Sequence, residues 1–460
     1  MTFSKRSIAG ALLTALVLTG QGCGGPSAAE VAATKPVTLT VWRVFDTANT
    51  MRDIMDAYTK VHTNVSFKYV QLRPEEYRDE LLRAFAEGKG PDIFSVHNDG
   101  MGEFKSLMAP LPATLKIPYT TVTGSVKKEK VTVIREDPTI TPREVRRDFL
   151  DVVAGDVVLP FQATQNAPTE EKVYGLPLFV DTMALYVNRD LLNAAGIAEP
   201  PVTWDEFQAA VMKLTKVGPN NEIIQSGAAL GTGANVERAF DILSVLMMQN
   251  GTQMTDSRGN PTFGSYETPA HTNPGQDAVR FYTDFANPTK EVYGWNAQQP
   301  NSFDAFVAGK TAFFFGYAYH LPRIRARAPK MNVEVSPMPQ IKDSRAVNMA
   351  NYWIETVSKA SKNQNFAWDF VQFAASAEQV PSYLKAAARP TARRALIQSQ
   401  VNDEDLAVFV GQLLTAKDWY RGADAATAEA AFEKLIDDVL AGMDVEDAIK
   451  SAQNRVIQTL

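Results

Sequence analysis

The sequence predicts an α/β fold, because three short apolar segments near its start alternate with two amphipathic helices. Residues 37–41, 65–70 and 91–96 are rich in β-branched and aromatic side chains, which favour strands. Between them, residues 51–61 and 75–87 repeat apolar side chains at helical spacing. A strand–helix–strand–helix–strand order is typical of a parallel sheet with crossover helices.

Polar and aromatic side chains follow two of these strands at their carboxyl ends. Trp42 and Asp46 come after the first strand, and Asn98 and Asp99 come after the third. Ligands of open α/β sheets bind in the crevice beyond the carboxyl ends of the strands. We therefore expect these four side chains to face one crevice.

Residues 173–207 continue the chain with a turn, a strand and two helices. The tetrapeptide YGLP marks the turn, and residues 183–187 form a short apolar run that predicts a strand. Thr203 and Glu206 form a capping box, which predicts the start of the second helix. Asp181 interrupts the apolar run, and its carboxylate is either solvated at the edge of a sheet or directed into a polar cavity.

The same segment resembles the extracellular solute-binding proteins, family 1, of bacterial ABC importers, which are similar to maltose-binding protein. The family pattern is YGLP…D…LYYN+DL…G…PP.TWDEF, and this chain reads VYGLPLFVDTMALYVNRDLLNAAGIAEPPVTWDEF. Other segments that resemble the family are GKGPDIFSVHNDGMGEF, LMMQNGTQMTD, FDAFVAGKTAFFFGY, NYWI and AAARPTARRAL. The resemblance covers most of residues 37–460 except 110–172.

This resemblance implies a two-lobed periplasmic-binding-protein type II fold. Each lobe is expected to be a mainly parallel sheet flanked by helices, and three chain crossings are expected to form the hinge. The crossings are expected near residues 179–182, 348–354 and 386–391. The N-lobe is expected to comprise residues 37–180 and 354–388, and the C-lobe residues 181–353 and 389–460.

Residues 110–172 are interpreted as a divergent insertion on the N-lobe. Within it, residues 131–134 have the composition of a strand. Residues 141–153 predict one helix, because a threonine followed by a proline is typical of a helix start.

The resemblance also implies that sugars or related small solutes bind between the lobes. Sugars place their apolar C–H faces on aromatic rings, and their hydroxyls donate hydrogen bonds to carboxylates. The expected ligand-binding residues are Trp42, Asp46, Asn98, Asp99, Asp181, Trp295, Tyr317, Tyr352, Trp353 and Arg389. Each aromatic residue taken alone is equally compatible with a place in the apolar core.

The sequence contains no motif typical of catalysis or metal binding. Its four histidines lack metal-ligand spacing, and the GKT at residues 309–311 has Asp304 where a phosphate loop requires glycine. We therefore expect a binding protein with no catalytic residue, metal or cofactor. The alternatives are an envelope enzyme that acts on glycans, with Asp99 and Asp181 as acid and base, or a sensor or adhesion lipoprotein on the same fold.

Composition and charge are those of an ordinary globular protein. Hydrophobic residues make up 45% and charged residues 21% of the 460 residues, a length that suggests two or three domains. The net charge of −6 does not favour nucleic acid or an anionic membrane surface as a partner. We expect a monomer that delivers its solute to the permease of an ABC importer.

The N-terminus has the features of a signal peptide. Lys5 and Arg6 precede an apolar segment at residues 8–18, which is too short to span a bilayer stably. We therefore expect residues 1–22 to be removed during export, which predicts an extracytoplasmic protein.

Cys23, the only cysteine, follows this signal directly and has no disulfide partner in the chain. The position resembles that of the lipid-bearing cysteine of bacterial lipoproteins, although Gly20 stands where their signal prefers leucine. This resemblance implies a lipid anchor at Cys23 and a flexible tether over residues 23–36. The alternative is ordinary cleavage near residues 28–33 and release as a soluble periplasmic or secreted protein.

Overall fold

The computed structural model describes residues 27–123, 129–220, 222–268 and 273–460. The predicted signal peptide and Cys23 lie outside these residues. The strands are β1 (Val37–Val44), β2 (Val65–Leu72), β3 (Ile93–His97), β4 (Thr114–Thr123), β5 (Glu129–Pro138), β6 (Val158–Phe161), β7 (Glu170–Val173), β8 (Leu176–Pro177), β9 (Asp181–Thr182), β10 (Ala184–Asn188), β11 (Lys216–Val217), β12 (Ile223–Ala228), β13 (Thr311–Gly316), β14 (Val333–Ser336), β15 (Asn348–Asn351), β16 (Trp353–Val357) and β17 (Ala416–Lys417).

The α-helices surround these strands. They are α1 (Ala28–Thr34), α2 (Ala48–Val61), α3 (Pro74–Ala86), α4 (Met101–Phe104), α5 (Pro142–Asp148), α6 (Asp151–Val157), α7 (Arg189–Ala194), α8 (Trp204–Leu214), α9 (Ala239–Gln249), α10 (Pro274–Asp284), α11 (Ser302–Val307), α12 (His320–Arg327), α13 (Gln364–Ala374), α14 (Val380–Ala387), α15 (Ile397–Gln400), α16 (Ala407–Gln412), α17 (Ala425–Leu440) and α18 (Val445–Ile457). None of the described helices is both long and apolar enough to cross a membrane.

The first lobe is built on a five-stranded sheet of order β2-β1-β3-β16-β8. Strands β1, β2 and β3 are parallel, which confirms the strand–helix order predicted for the start of the chain. Strand β16 is antiparallel to both β3 and β8. Strand β16 begins at a crossing between the lobes, beside the point where β3 ends. It must therefore run in the direction opposite to β3.

The second lobe is built on a five-stranded sheet of order β11-β12-β13-β10-β14. Only β12 and β13 pair in parallel, whereas the other three pairings are antiparallel. The prediction of two lobes flanked by helices is confirmed, but the prediction that each sheet is mainly parallel is wrong. Strand β10 leaves a crossing and β13 returns towards it, which imposes the antiparallel arrangement.

Three crossing segments lie side by side between the two sheets. Strand β9 pairs with β15 in antiparallel register, with Asp181 opposite Asn351. The segment before β9 pairs in turn with the third crossing, because the Val180 amide donates to the Pro390 carbonyl at 3.3 Å. The predicted three-crossing hinge is therefore present, and β17 extends it as a further strand beside β15.

The insertion consists of two antiparallel hairpins with two helices between them, β4–β5 and β6–β7 around α5 and α6. The strand predicted at residues 131–134 lies within β5. The single helix predicted at residues 141–153 is instead two helices, interrupted at Phe149, whose backbone is extended and pairs with Arg393. Helix α1 lies against β4 and β5, so residues 28–34 are helical where a flexible tether was expected.

A buried ionic network joins the lobes beside the crossing strands. Arg421 pairs with Asp156 of the insertion and with Asp418, both at 2.7 Å. Asn98 of the first lobe donates to Asp418 at 2.7 Å, and the Tyr352 hydroxyl donates to Asp156. Burial raises the pKa of Asp156 well above its ordinary value, and the Arg421 guanidinium opposes this shift.

Replacing Arg421 by methionine is expected to destabilise the protein, because the buried Asp156 carboxylate loses its cation. Removing one partner of a fully buried pair costs about 3–5 kcal/mol. The Arg421 side chain is 35% exposed, so the expected loss is smaller, on the order of 2–3 kcal/mol. Urea unfolding measures the change, which should be larger at pH 8 than at pH 5, where Asp156 can bind a proton. Adding Asp156→Asn to the Arg421→Met variant should restore part of the lost unfolding free energy. Equal losses at pH 8 and pH 5 would contradict the role of Arg421 as the cation that balances Asp156.

Candidate ligand-binding site

A cavity of about 690 Å³ lies between the two lobes, at the side of the crossing strands that Asn351 and Trp353 face. It combines charged groups with aromatic rings from both sheets and from the hinge. Its lining residues are Arg43, Val44, Phe45, Asp46, Pro74, Glu75, Ser95, His97, Phe179, Asp181, Arg238, Tyr319, Arg323, Asn351, Trp353 and Arg389. No described hydrogen bond or ion pair between side chains spans this cavity from one lobe to the other.

Arg43 forms the floor of the cavity on the first lobe. It occupies the buried face of β1 at the carboxyl end of the strand and is only 2% exposed. Its guanidinium pairs with Asp46 and with Glu355 of β16, each at 3.0 Å. The Tyr383 hydroxyl donates to Asp46 at 2.8 Å. These contacts hold the carboxylate and the guanidinium rigidly at the point where strands β1 and β16 meet the cavity.

Asp181 and Arg389 form a second charged pair, contributed by the first and third crossings. One oxygen of the buried Asp181 accepts from the amides of Thr182 at 2.9 Å and Ala318 at 3.1 Å. The other lies 3.5 Å from the Arg389 guanidinium. Burial raises the pKa of Asp181 to about 6, even though Arg389 favours the ionised form. Arg389 also lies over the rings of Phe179 and Tyr319, at 5.1 and 5.5 Å.

Two further charged groups line the cavity with a carboxylate behind each. His97 contacts Asp99 at 2.5 Å. Burial alone would lower the pKa of His97, but the Asp99 carboxylate outweighs this effect, and the pKa is raised above its ordinary value. Arg238 makes two hydrogen bonds of 2.7 Å to Asp241 and lies at the start of α9. The cavity therefore presents fixed hydrogen-bonding groups whose charges are largely balanced within the protein.

Aromatic rings supply the apolar part of the lining. Trp353 is half-buried and makes edge contacts with the rings of Phe45, Tyr77 and His97, with centroids 5.4–6.0 Å apart. Tyr319 lies on the opposite lobe. Groups of three or more potential metal ligands are absent from the part of the chain that the structure describes.

The structure brings four of the sequence-predicted residues together around this cavity: Asp46, Asp181, Trp353 and Arg389. Asp99 contacts His97, which lines the cavity, but is not itself a lining residue. The placement of these residues agrees with the expectation from the sequence, and their contact with a ligand stays a prediction.

The structure places the other predicted residues away from the cavity. Trp295 is fully buried in the second lobe, where its indole N–H donates to Asn235, and Tyr317 is fully buried with its hydroxyl on Asp241 at 2.6 Å. Trp42 packs against the core of the first lobe, because β1 extends to Val44 and Trp42 points away from the face that carries Arg43.

Asn98 and Tyr352 belong to the opposite side of the hinge. Tyr352 lies between two cavity-lining residues of an extended segment, so its side chain points the other way, to Asp156. Asn98 lines a separate interlobe cavity of about 630 Å³ that also includes Asp156 and Arg421. Both residues therefore join the lobes rather than face the first cavity.

The sequence reading missed several lining residues, among them Arg43, Phe45, His97, Arg238 and Tyr319. Arg43 carried a detectable signal, because it falls in the register of Val37, Leu39 and Val41 on the buried face of β1. A charged residue in that register at a strand end indicates a polar site rather than a core.

Asp181 is expected to make stability depend on pH. Its folded-state pKa of about 6 lies above the ordinary value of 3.8, so the folded protein binds more protons between these values. Its contribution to stability is therefore present below about pH 4 and is lost as the pH rises through 6.

Replacing Asp181 by asparagine removes this dependence. The unfolding free energy of the wild type should fall by on the order of 2–3 kcal/mol, relative to Asp181→Asn, between pH 4 and pH 7. Urea unfolding across this range measures the difference, and Asp53→Asn on the exposed face of α2 is the matched control. Parallel pH profiles for wild type and Asp181→Asn would refute the assignment.

This chain is similar in fold and in sequence to known binding proteins. The sugar-binding protein MalE from Xanthomonas citri superposes with a TM-score of 0.68 at 18% identity, covering 92% of this chain and 97% of MalE. The galactooligosaccharide-binding protein of Bacillus subtilis is 22% identical over 219 residues, 47% of this chain and 43% of that protein. A protein of Deinococcus radiodurans named "Probable ABC transporter-binding protein" is 24% identical over 312 residues, 66% of this chain and 69% of that protein.

The chain spans about 12% of the length of the first curated relatives that it matches, Brucella proteins each named "Putative binding protein". A family model matches far more of it. The model described as bacterial extracellular solute-binding protein covers residues 46–381, which include the whole sheet of the second lobe, four of the five strands of the first-lobe sheet and two of the three crossings. This protein therefore belongs to the bacterial extracellular solute-binding proteins.

Proposed function

We propose that this protein captures a carbohydrate in the cavity between its lobes and delivers it to an ABC importer. The observation that carries the proposal is the cavity itself, which pairs aromatic rings with rigidly held carboxylates and guanidinium groups. Its volume of about 690 Å³ falls within the range typical of small-molecule sites. The sugar-binding relatives support the ligand class.

The proposed binding step closes the two lobes around the sugar. Asp46 and Asp181 accept hydroxyl hydrogen bonds, Arg389 donates to hydroxyl or ring oxygens, and Trp353 packs against a C–H face. The crossing strands flex as the hinge, and the ligand shifts the open–closed equilibrium by its preference for the closed form. The predicted lobe boundaries, at residues 180–181, 353–354 and 388–389, serve as the pivot.

Binding without hydrolysis fits the carboxylates better than a glycan-cleaving enzyme does. A glycosidase needs two carboxyl groups that flank the scissile bond, one of them a proton donor. Asp99 lies behind His97, which together with Arg238 holds its pKa below the ordinary value although burial alone would raise it. Asp99 is not among the residues that line the cavity, and its carboxylate is engaged by His97, so it does not stand with Asp181 on either side of a bound sugar.

Trp353→Ala is expected to weaken sugar binding roughly tenfold, because the variant loses the aromatic face of the site. A thermal-shift screen of monosaccharides, oligosaccharides, polyols and glycerophosphodiesters identifies the ligand, and calorimetric titration then compares the variants. Ile224→Ala, whose side chain is 62% exposed and outside the cavity, is the control. Unchanged affinity for Trp353→Ala would place the site elsewhere, and release of reducing sugar by the wild type would favour the enzyme.

We further propose that the protein is anchored outside the cytoplasm by a lipid on Cys23. The support is the apolar segment at residues 8–18 followed by the only cysteine of the chain. Cys23→Ala should abolish incorporation of labelled fatty acid and release the protein from the membrane fraction. Wild-type protein that carries no label and begins near Ala29 would show that the chain is secreted in soluble form.

A further inference from the structure

Phe45 adopts a backbone conformation that non-glycine residues rarely take. Its φ angle is +64°, and the Asp46 amide donates to the Val44 carbonyl at 2.7 Å, so a γ-turn closes around Phe45. The Phe45 carbonyl accepts from the Gln71 side chain at 3.0 Å, which holds the turn at the end of β1. Such left-handed backbone is strained for a residue with a bulky side chain, and glycine would adopt it freely.

The strained turn places an aromatic ring in the mouth of the cavity. Phe45 is 54% exposed although it lines the cavity, and its ring makes an edge contact with Trp353, at 6.0 Å and 77°. An exposed ring on a strained backbone contributes little to folding, because it buries little apolar surface. Strain combined with exposure at a cavity is typical of a residue that acts on a ligand.

The lining also changes in character from the floor of the cavity to its mouth. Arg43 and Asp181 are 2% and 1% exposed at the floor, and Trp353 is half-buried above them. Phe45, Glu75 and Arg323 are exposed at the mouth. A single sugar ring at the floor can satisfy the charged groups, but it leaves the exposed part of the Phe45 ring uncovered.

We propose that Phe45 is a stacking platform for a second sugar ring, and that the ligand is an oligosaccharide of at least two rings. The inference rests on the proposed function. The first ring occupies the polar floor beside Asp181 and Trp353, and the next ring places its C–H face on Phe45. Hydroxyls of this outer ring lie within the reach of Glu75 and Arg323 at the rim.

The test compares three variants of Phe45 with the wild type. Phe45→Ala removes the ring and keeps the backbone strain, Phe45→Gly removes both, and Phe45→Tyr keeps an aromatic face. The probes are glucose, maltose and maltotriose; mannose, mannobiose and mannotriose; and galactose with the matching β-linked galactobiose and galactotriose. Calorimetric titration gives affinities, and thermal unfolding without sugar gives stability.

For the series that binds, Phe45→Ala and Phe45→Gly should weaken binding of the disaccharide and the trisaccharide roughly tenfold and leave binding of the monosaccharide nearly unchanged. Phe45→Tyr should bind all three sugars nearly as tightly as the wild type, because it keeps the aromatic face. Without sugar, Phe45→Gly should melt a few degrees above Phe45→Ala, because glycine relieves the strain. Phe45→Gly should thus be more stable than Phe45→Ala yet bind just as weakly, so the loss of affinity would not be explained by a loss of stability.

Failure of this inference differs from failure of the proposed function. If the wild type binds oligosaccharides and Trp353→Ala weakens them while all three Phe45 variants bind normally, Phe45 is not a platform and the proposed function stands. Equal losses for monosaccharide and trisaccharide would overturn the assignment to a second ring. If the wild type binds neither these probes nor any other carbohydrate of the screen, the proposed function and this inference both fail.

Discussion

The antiparallel pairing of the crossing strands is the constraint on which the rest of the structure depends. Because β9 pairs with β15, and Val180 bonds to Pro390, three separate parts of the chain leave one lobe and enter the other at a single place. Asp181, Asn351 and Arg389 come from these three segments and meet in one cavity. The site is thus a consequence of connectivity, since no local segment contains more than a fraction of it.

The crossing also divides the interlobe surface into two faces with different roles. Neighbouring residues of one extended segment point to opposite faces. Trp353 lines the proposed ligand cavity, and Tyr352 contacts Asp156 on the other face. The second face carries the direct bonds between lobes, through Asp418 and Arg421. On the face that Trp353 lines, no described side chains bond directly between the lobes. The polar groups of that face are therefore available to a solute.

Sequence reasoning predicted the lobes and part of the site because those features depend on patterns that a sequence displays. Helical spacing and strand composition located α2, α3 and β1 to β3, and the carboxylate of Asp181 stood out in an apolar run. Strand direction in the second lobe was mispredicted, because direction depends on where the chain enters a sheet and not on its composition.

The remaining errors concern which way a side chain points. Ending the first strand at residue 41 hid the register that puts Arg43 on the buried face and Trp42 on the other. Tyr317 and Tyr319 look alike in sequence, yet Tyr317 reaches the buried Asp241 and Tyr319 the cavity. The positive φ of Phe45 has no sequence signal, because glycine and not phenylalanine is the usual residue in that conformation.

We propose that a sugar is held between the lobes at the crossing strands. Hydrogen–deuterium exchange, measured with and without the tightest-binding sugar of the screen, tests this most directly. The structure predicts that protection increases in peptides from both lobes, at residues 43–46 and 317–323, and at the crossing around residues 179–182. Protection confined to one lobe, or to the face that carries Arg421, would contradict it.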